Sequence, residues 1–152
     1  MKQRATAVTA WEALFRAQVS VMRRLGADFP IDNISFTEYD VLFTLSRRSD
    51  RRLRMRDLNN DILLTQPSVS RLIDRLTARG LVAKLPDPDD ARGIVVELTD
   101  EGFELFRRAA VGHVRSINER VGSVLDEEEL ETLTRLCDKL RAGVAAPSTS
   151  TR

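Results

Sequence analysis

The sequence predicts a mainly α-helical protein that carries one small β-hairpin, an α+β fold. Three observations support this prediction. Apolar residues recur every three or four positions over long segments, which is typical of helices with one buried face. One shorter segment changes to β-branched runs around a loop of Pro, Asp and Gly, which is typical of a hairpin. Charged residues make up 31% of the 152 residues and aromatic residues only 5%, which suits one compact, helix-rich domain.

The first two helices are predicted from apolar stripes and end signals. The first runs to Pro30, which marks its exit. Its stripe consists of Val8, Trp11, Phe15, Val19, Met22, Leu25 and Phe29. The second begins near Ser35, because Ser35 and Glu38 have the spacing of a capping box. We expect Tyr39, Leu42 and Phe43 on its buried side, and the Arg-rich residues 46–54 to end it.

Two short helices and the hairpin follow. Residues 55–64 form the third helix, and the fourth begins at Thr65 as N-cap, with Pro67 in its first turn and Gly80 as its C-terminal glycine. Its inward residues are Val69, Leu72, Ile73 and Leu76. Residues 81–85 and 93–98 are the predicted hairpin strands, and the polar loop between them forms its tip.

The last two helices again have long apolar stripes. Thr99 caps the first of them, and Asp126 with Glu129 gives a capping signal for the second. The final helix has a heptad seam of Leu130, Leu133, Cys137, Leu140 and Val144. A central module this small cannot bury the apolar stripes of the first helix and of the last two helices. We therefore expect a homodimer through the terminal helices and a disordered tail at residues 147–152.

Charge is concentrated in the middle of the chain. Residues 47–92 contain eleven Lys or Arg and seven Asp, a local charge of +4 in a chain whose net charge is +1. A basic middle segment favours a module that binds polyanions, although a solvated Arg-rich surface explains the same charge equally well.

Other classes of function are disfavoured. One Cys and one His leave no intrachain disulfide and too few ligands for a zinc site, so we expect no metal and no cofactor. The chain has no phosphate-binding Gly loop and no catalytic constellation, which argues against an enzyme. No apolar segment is long enough to cross a bilayer, and residues 1–15 have no signal-peptide pattern. We therefore expect a cytoplasmic protein.

The stretch TQPSVSRLIDRLTARGLVAKLPDPDDARGIVVELTDEG resembles the MarR family of bacterial transcription regulators, and the resemblance extends from about Trp11 to Val144. One departure is Ala91, where the family often has the first of two adjacent arginines. The resemblance implies a winged helix-turn-helix lobe at residues 35–98. It also implies N- and C-terminal dimerisation helices at residues 1–34 and 99–146.

The resemblance also implies a homodimer that binds double-stranded DNA at an inverted-repeat operator, most simply as a repressor. Pro67 would stiffen the first turn of the recognition helix, whose polar start would face the bases. Arg92 would enter the minor groove, oriented by an ion pair with Asp90. The expected DNA-binding residues are Gln66, Pro67, Ser68, Ser70, Arg71, Arg75, Asp90 and Arg92, together with Arg51 and Arg54 in a general basic footprint. The alternative for the serines is ordinary helix capping, for Arg75 a local ion pair, and for some of the footprint arginines plain solvation.

Many relatives respond to small aromatic ligands, so the resemblance implies an effector site. The candidate residues are Trp11, Phe15, Tyr39, Phe43 and His113. Each of these is also an ordinary core residue, and Cys137 in the last apolar seam is expected to pack rather than to act as a redox switch. The alternative function is a winged-helix protein-interaction module or anti-regulator that does not bind DNA.

Overall fold

A computed structural model describes residues 6–63 and 68–145, and it confirms the α+β prediction. The elements in chain order are α1 (Ala7–Ala27), α2 (Phe36–Ser46), β1 (Arg52–Arg54), α3 (Met55–Asp61), α4 (Val69–Ala78), β2 (Val82–Asp87), β3 (Asp90–Leu98), α5 (Asp100–Ile117) and α6 (Glu127–Ala145). A π-helical turn, Asn118–Gly122, prolongs α5. No described helix is long and apolar enough to cross a membrane.

The start of α2 is tied to the end of α4. The predicted capping box is present: Glu38 donates its backbone N–H to the Ser35 hydroxyl at 3.2 Å, and Ser35 donates its own to the Glu38 carboxylate at 2.9 Å. That carboxylate also accepts a hydrogen bond from Arg79 at 3.1 Å. Arg79 in turn donates to the Asn33 carbonyl at 2.9 Å. One cap therefore fixes α4 relative to α2 as well as starting α2.

The core of the lobe lies between α2, α3, α4 and the sheet. Its fully buried large side chains are Ile34, Val41, Leu42, Leu45, Leu58, Leu72, Ile73, Leu76, Val82 and Val96. Each such side chain stabilises the fold by roughly 1.5–3 kcal/mol relative to an exposed one. The four predicted inward residues of α4 are all buried, so its other face is left outward.

The sheet has three antiparallel strands in the order β1-β3-β2. Strand β1 was not predicted, because residues 46–54 were expected only to break a helix. Leu53 lies opposite Val96 on β3, and the Arg51 carbonyl accepts the Leu98 N–H at 2.9 Å. The predicted hairpin is correct, but its strands are longer: 86–87 belong to β2 and 90–92 to β3 instead of the loop, which leaves only Pro88 and Asp89 in the turn.

The predicted start of α4 is wrong. Ser68 has an extended backbone (φ −151°, ψ 103°), and its hydroxyl accepts the Arg71 N–H at 3.3 Å, so Ser68 is the N-cap of α4. Thr65 lies outside the described residues, as does the predicted tail at 147–152.

The third helix ends at Asp61 instead of 64. Gly80 is confirmed as the terminating residue of α4, with φ +73°.

The terminal helices are poorly covered within one chain. Leu25 is the buried residue of α1, and α6 has no buried residue. Trp11 is 59% exposed and Leu136 is 50% exposed. Large apolar side chains at this exposure are typical of an interface with another chain.

Candidate DNA-binding surface

The outward face of α4 presents polar and basic side chains. Burial of the apolar face leaves Ser70, Arg71, Asp74 and Arg75 exposed. Asp74 is ion-paired with Lys84 of β2. In the described part of the chain neither Arg71 nor Arg75 has a carboxylate within ion-pair distance, so the local pair considered for Arg75 is absent there. Gln66 and Pro67 lie outside the described residues.

The wing is formed by β2, β3 and their turn. The Asp90 carboxylate accepts the backbone N–H of Arg92 at 3.0 Å. The expected ion pair between Asp90 and the Arg92 guanidinium is not formed among the described residues; the Asp90 carboxylate binds the Arg92 backbone N–H. Arg92 is exposed. Its guanidinium is therefore available to an anionic partner.

One concavity brings the start of α4 together with the wing. Its volume is about 530 Å³. Ser68, Ser70 and Arg92 lie on its wall, with Arg54 and Asp87 beside them. Its remaining lining residues are Met55, Arg56, Asn59, Val69, Asp90, Gly93 and Ile94. The N-terminus of α4, the two serine hydroxyls and the Arg92 guanidinium therefore converge on a single surface, as expected for a polyanion-binding site.

Arg54 is bound to the wing turn. Its Nε lies 2.9 Å from Asp87 Oδ2, and its Nη2 lies 2.9 Å from Asp89 Oδ2. The Asp87 side chain is only 4% exposed. No sequence pattern predicts this contact, because the partners lie on different elements and are more than thirty positions apart.

Arg51, the other predicted footprint residue, and the neighbouring arginines also have partners. Arg51 stacks on the Phe103 ring with its guanidinium carbon 3.8 Å from the ring centroid, and its Nη1 lies 3.2 Å from Asp100 Oδ1. Arg48 pairs with Asp61 at 2.6 Å. The remaining two are Arg52, paired with Glu97, and Arg47, whose guanidinium carbon lies 5.9 Å from the Phe43 ring centroid. Most of this Arg-rich segment is therefore neutralised within the protein.

Three of the five effector candidates share a cavity. Tyr39, Phe43 and His113 line a space of about 300 Å³ between α1, α2 and α5. Its other lining residues are Met22, Leu25, Phe36, Asp40, Leu63, Val114 and Ile117. None of these lining residues is Lys or Arg, and an apolar cavity of this size is within the range of small-molecule sites.

His113 is the polar group that this cavity leaves unsatisfied. Its Nδ1 is buried and has no hydrogen-bond partner among the described residues. Burial lowers the pKa of His113, and the nearby Asp28 carboxylate opposes part of that shift. Burial also raises the pKa of Tyr39. Both side chains are therefore neutral near pH 7.

Trp11 and Phe15 lie apart from this cavity, with their ring centroids 5.8 Å from each other on α1. Trp11 instead lines a groove of about 610 Å³ between α1 and α6. The groove is also lined by Leu133, Leu136, Cys137 and Leu140. Within one chain, three candidates thus line the cavity, Trp11 lines the groove, and Phe15 lines neither.

Comparison with known proteins identifies the family. The MarR family model matches residues 32–93. The HTH-type transcriptional regulator PecS of Dickeya dadantii is 31% identical over 129 residues, covering 84% of this chain and 76% of PecS. MhqR of Bacillus subtilis, a regulator of the same type, is 28% identical over 127 residues, covering 84% of this chain and 86% of MhqR.

A solved structure gives the same result. Sco3205 of Streptomyces coelicolor, a MarR family transcriptional regulator crystallised in complex with DNA, aligns with a TM-score of 0.77 and 27% identity, over 99% of this chain and 96% of the other. AbsC of the same organism, also a MarR family regulator, aligns with a TM-score of 0.75 at 24% identity, over 94% of this chain and 98% of AbsC. The chain therefore belongs to the MarR family of transcriptional regulators.

Proposed function

We propose that this regulator binds double-stranded DNA sequence-specifically, as a homodimer on an inverted-repeat operator, and represses transcription by occupying it. The observation that carries the proposal is the concavity where Ser68 and Ser70 meet Arg92. The exposed Arg71 and Arg75 continue the same surface along α4. Sco3205 was solved in complex with DNA, which supports the same activity here. The proposal includes no catalytic activity and a cytoplasmic site of action.

We assign a different part of the DNA to each element. Residues 35–98 form the DNA-binding lobe, in which Ser70 and Arg71 face base edges in the major groove and Arg75 faces phosphates. Gln66 and Pro67 stay predictions for the approach to the bases. Arg92 enters the adjacent minor groove, and Asp90 holds the backbone from which it extends.

Residues 1–34 and 99–146 form the dimerisation region in this proposal. The exposed apolar faces of α1 and α6 support that role. A two-fold dimer presents two recognition helices, so the half-sites should be about one helical turn, ~10 bp, apart.

We further propose that a small aromatic effector binds in the cavity lined by Tyr39, Phe43 and His113. Two neighbours of lower identity were studied with such ligands, BpsR with 6-hydroxynicotinic acid and NadR with 4-hydroxyphenylacetate. A ligand hydroxyl would satisfy the buried Nδ1 of His113 in either tautomer of the ring.

Phenolic compounds should then weaken DNA binding, and Ile117→Trp, which fills the cavity, should remove the response. A response that survives Ile117→Trp would contradict this site.

The test of DNA binding is selection of duplexes from a random pool, followed by titration of the enriched site at several salt concentrations. We expect an inverted repeat and an affinity that falls steeply with salt. Failure to enrich any sequence, or binding without salt dependence, would favour the protein-interaction module.

A further inference from the structure

We propose that Arg54 is a positioning residue that holds the wing in the geometry from which Arg92 enters DNA, and that it is not itself a phosphate contact. This inference rests on the proposed function, and it replaces the prediction that Arg54 belongs to a general basic footprint. The geometry that carries it is the two-pronged contact of one guanidinium with Asp87 and Asp89, which we call the wing clamp.

The clamp joins three elements. Arg54 is the last residue of β1 and the N-cap residue of α3, where its side chain makes no capping hydrogen bond. Its Nε and Nη2 each lie 2.9 Å from a carboxylate oxygen, of Asp87 at the end of β2 and of Asp89 in the turn. A planar guanidinium can hold two acceptors in fixed directions, whereas an ammonium acts as a point charge. The clamp therefore fixes the turn relative to α3.

The buried end of the clamp cannot rearrange freely. Asp87 Oδ1 accepts the Asp89 N–H at 2.9 Å, so both carboxylate oxygens of Asp87 are engaged. Strand β3 covers this carboxylate at Gly93, where an added Cβ would lie only 2.9 Å from the Asp87 Cβ. A nearly buried carboxylate that loses its cation is costly, because neither water nor another charge replaces it. Loss of Arg54 should therefore move the turn.

The net charge at the tip of the wing also depends on Arg54. The wing tip, residues 87–92, contains three carboxylates, Asp87, Asp89 and Asp90, and one cation, Arg92. With Arg54 the net charge of these groups is −1, and without it they would present −2 to the phosphates around the minor groove. Arg92 lies on β3 two residues after Asp90, which accepts its backbone N–H. A displaced turn therefore also displaces the Arg92 guanidinium. Arg54 thus acts on DNA through Arg92.

The decisive variant is Arg54→Lys, because Lys keeps the positive charge but cannot donate to two carboxylates in fixed directions as the planar guanidinium does. We expect it to weaken binding to the selected site about 10-fold, and to have less than about a 2-fold effect when Arg92→Ala is already present. Asp89→Asn, which removes only the exposed prong, should show the same dependence on Arg92 with a smaller effect. The matched control is Arg52→Lys, on the same strand but paired with Glu97, and it should bind like the wild type. Circular dichroism and thermal unfolding check that each variant is folded.

Salt dependence separates a clamp from a phosphate contact. In the Arg92→Ala background, where the wing cation is already absent, Arg54→Met should leave the slope of log affinity against log salt unchanged, whereas loss of a phosphate contact by Arg54 would reduce it by about 1. That reduction would overturn the proposal. Wild-type binding by Arg54→Lys, or an equal loss with and without Arg92→Ala, would also overturn it.

A readout without DNA keeps this proposal distinct from the proposed function. The Asp89 amide donates to the clamped carboxylate, so Arg54→Lys should raise its hydrogen exchange about 10-fold while core amides of α2 are unchanged. Unchanged exchange at Asp89 would overturn the clamp. Wild-type protein that binds no duplex would instead refute the proposed function, whatever the exchange result.

Discussion

At the scale of single residues, Arg71 and Arg92 have the same chemistry in different settings. Arg71 projects from the first turn of α4, the helix proposed for the major groove, where a guanidinium can pair with both acceptors of guanine. Arg92 projects from the wing, which is proposed to enter a minor groove whose width and potential depend on A·T content. The two residues should therefore discriminate different positions of one operator.

Arg71→Ala should cost about 1–3 kcal/mol on the selected site and relax the preference at one base pair in each half-site. Arg92→Ala should instead remove the preference for A·T pairs in the flanks. The measurement is titration of both variants against the selected site and against point-mutated sites. Indistinguishable sequence profiles for the two variants would contradict the separate roles.

His113 gives the stability of the protein a dependence on pH. Burial lowers its pKa below the ordinary value of 6.5, so the folded state binds this proton less readily than the unfolded chain. The stabilisation from a neutral His113 is therefore complete above pH 6.5 and is lost as the pH falls below that value toward the lowered pKa.

The prediction is that the free energy of unfolding decreases as the pH falls below about 6.5, and that His113→Phe flattens this part of the profile. Phe keeps an aromatic ring against Phe29 and Tyr39, whose centroids lie 5.3 Å and 4.8 Å from that of His113. Urea unfolding at several pH values measures the effect. The same slope in His113→Phe and wild type would assign it to other groups.

The candidate site was only partly predictable, for a reason that these residues make clear. Ser70 and Arg71 follow from local helical periodicity, and the structure leaves both exposed. The role of Arg54 depends on Asp87 and Asp89, which only the three-stranded sheet brings beside it. Long-range pairing of this kind leaves no periodic signal in a sequence. The DNA contacts of all these side chains stay predictions.

At the scale of elements, short-range signals predicted most of the fold. The caps at Ser35 and Thr99 and the glycine after α4 act over three or four residues, and all are found where expected. Strand β1 has only three residues and no turn pattern of its own, since it exists by pairing with β3. The start of α4 was misplaced because Thr65 and Ser68 are both good N-caps, and local preference does not choose between them.

Gly102 tests how tightly α5 is packed on the lobe. A Cβ at this position would lie 2.0 Å from the Leu81 carbonyl oxygen, so Gly102→Ala must push the start of α5 away from the sheet. We expect a destabilisation of about 2 kcal/mol or more, despite the higher helix propensity of Ala. Gly143→Ala in α6 is the control, because an added Cβ there meets no atom within 4 Å among the described residues. Chemical denaturation of both variants would contradict the packing argument if Gly102→Ala were as stable as Gly143→Ala.

At the scale of the whole molecule, the terminal helices set the assembly. Groove-lining residues of α6 include Leu133 at 42% exposure and Leu140 at 49%, and they face Trp11 across the groove between α1 and α6. The lobe has its own core, so this surface is not needed to fold it. A second copy of the chain can cover it, and two-fold pairing also supplies the second recognition helix that an inverted repeat requires.

We therefore predict that sedimentation at micromolar concentration gives about twice the chain mass of 17.2 kDa. Leu136→Glu places a charge in the groove and should give monomers that bind the full operator at least about 100-fold more weakly, because each half-site is then bound alone. The control is Arg135→Glu, which adds the same side chain about 100° around α6 from Leu136 and outside the groove-lining set. It should remain dimeric. A Leu136→Glu protein that stays dimeric would place the interface elsewhere, and a wild-type monomer that binds the operator tightly would refute the dimer.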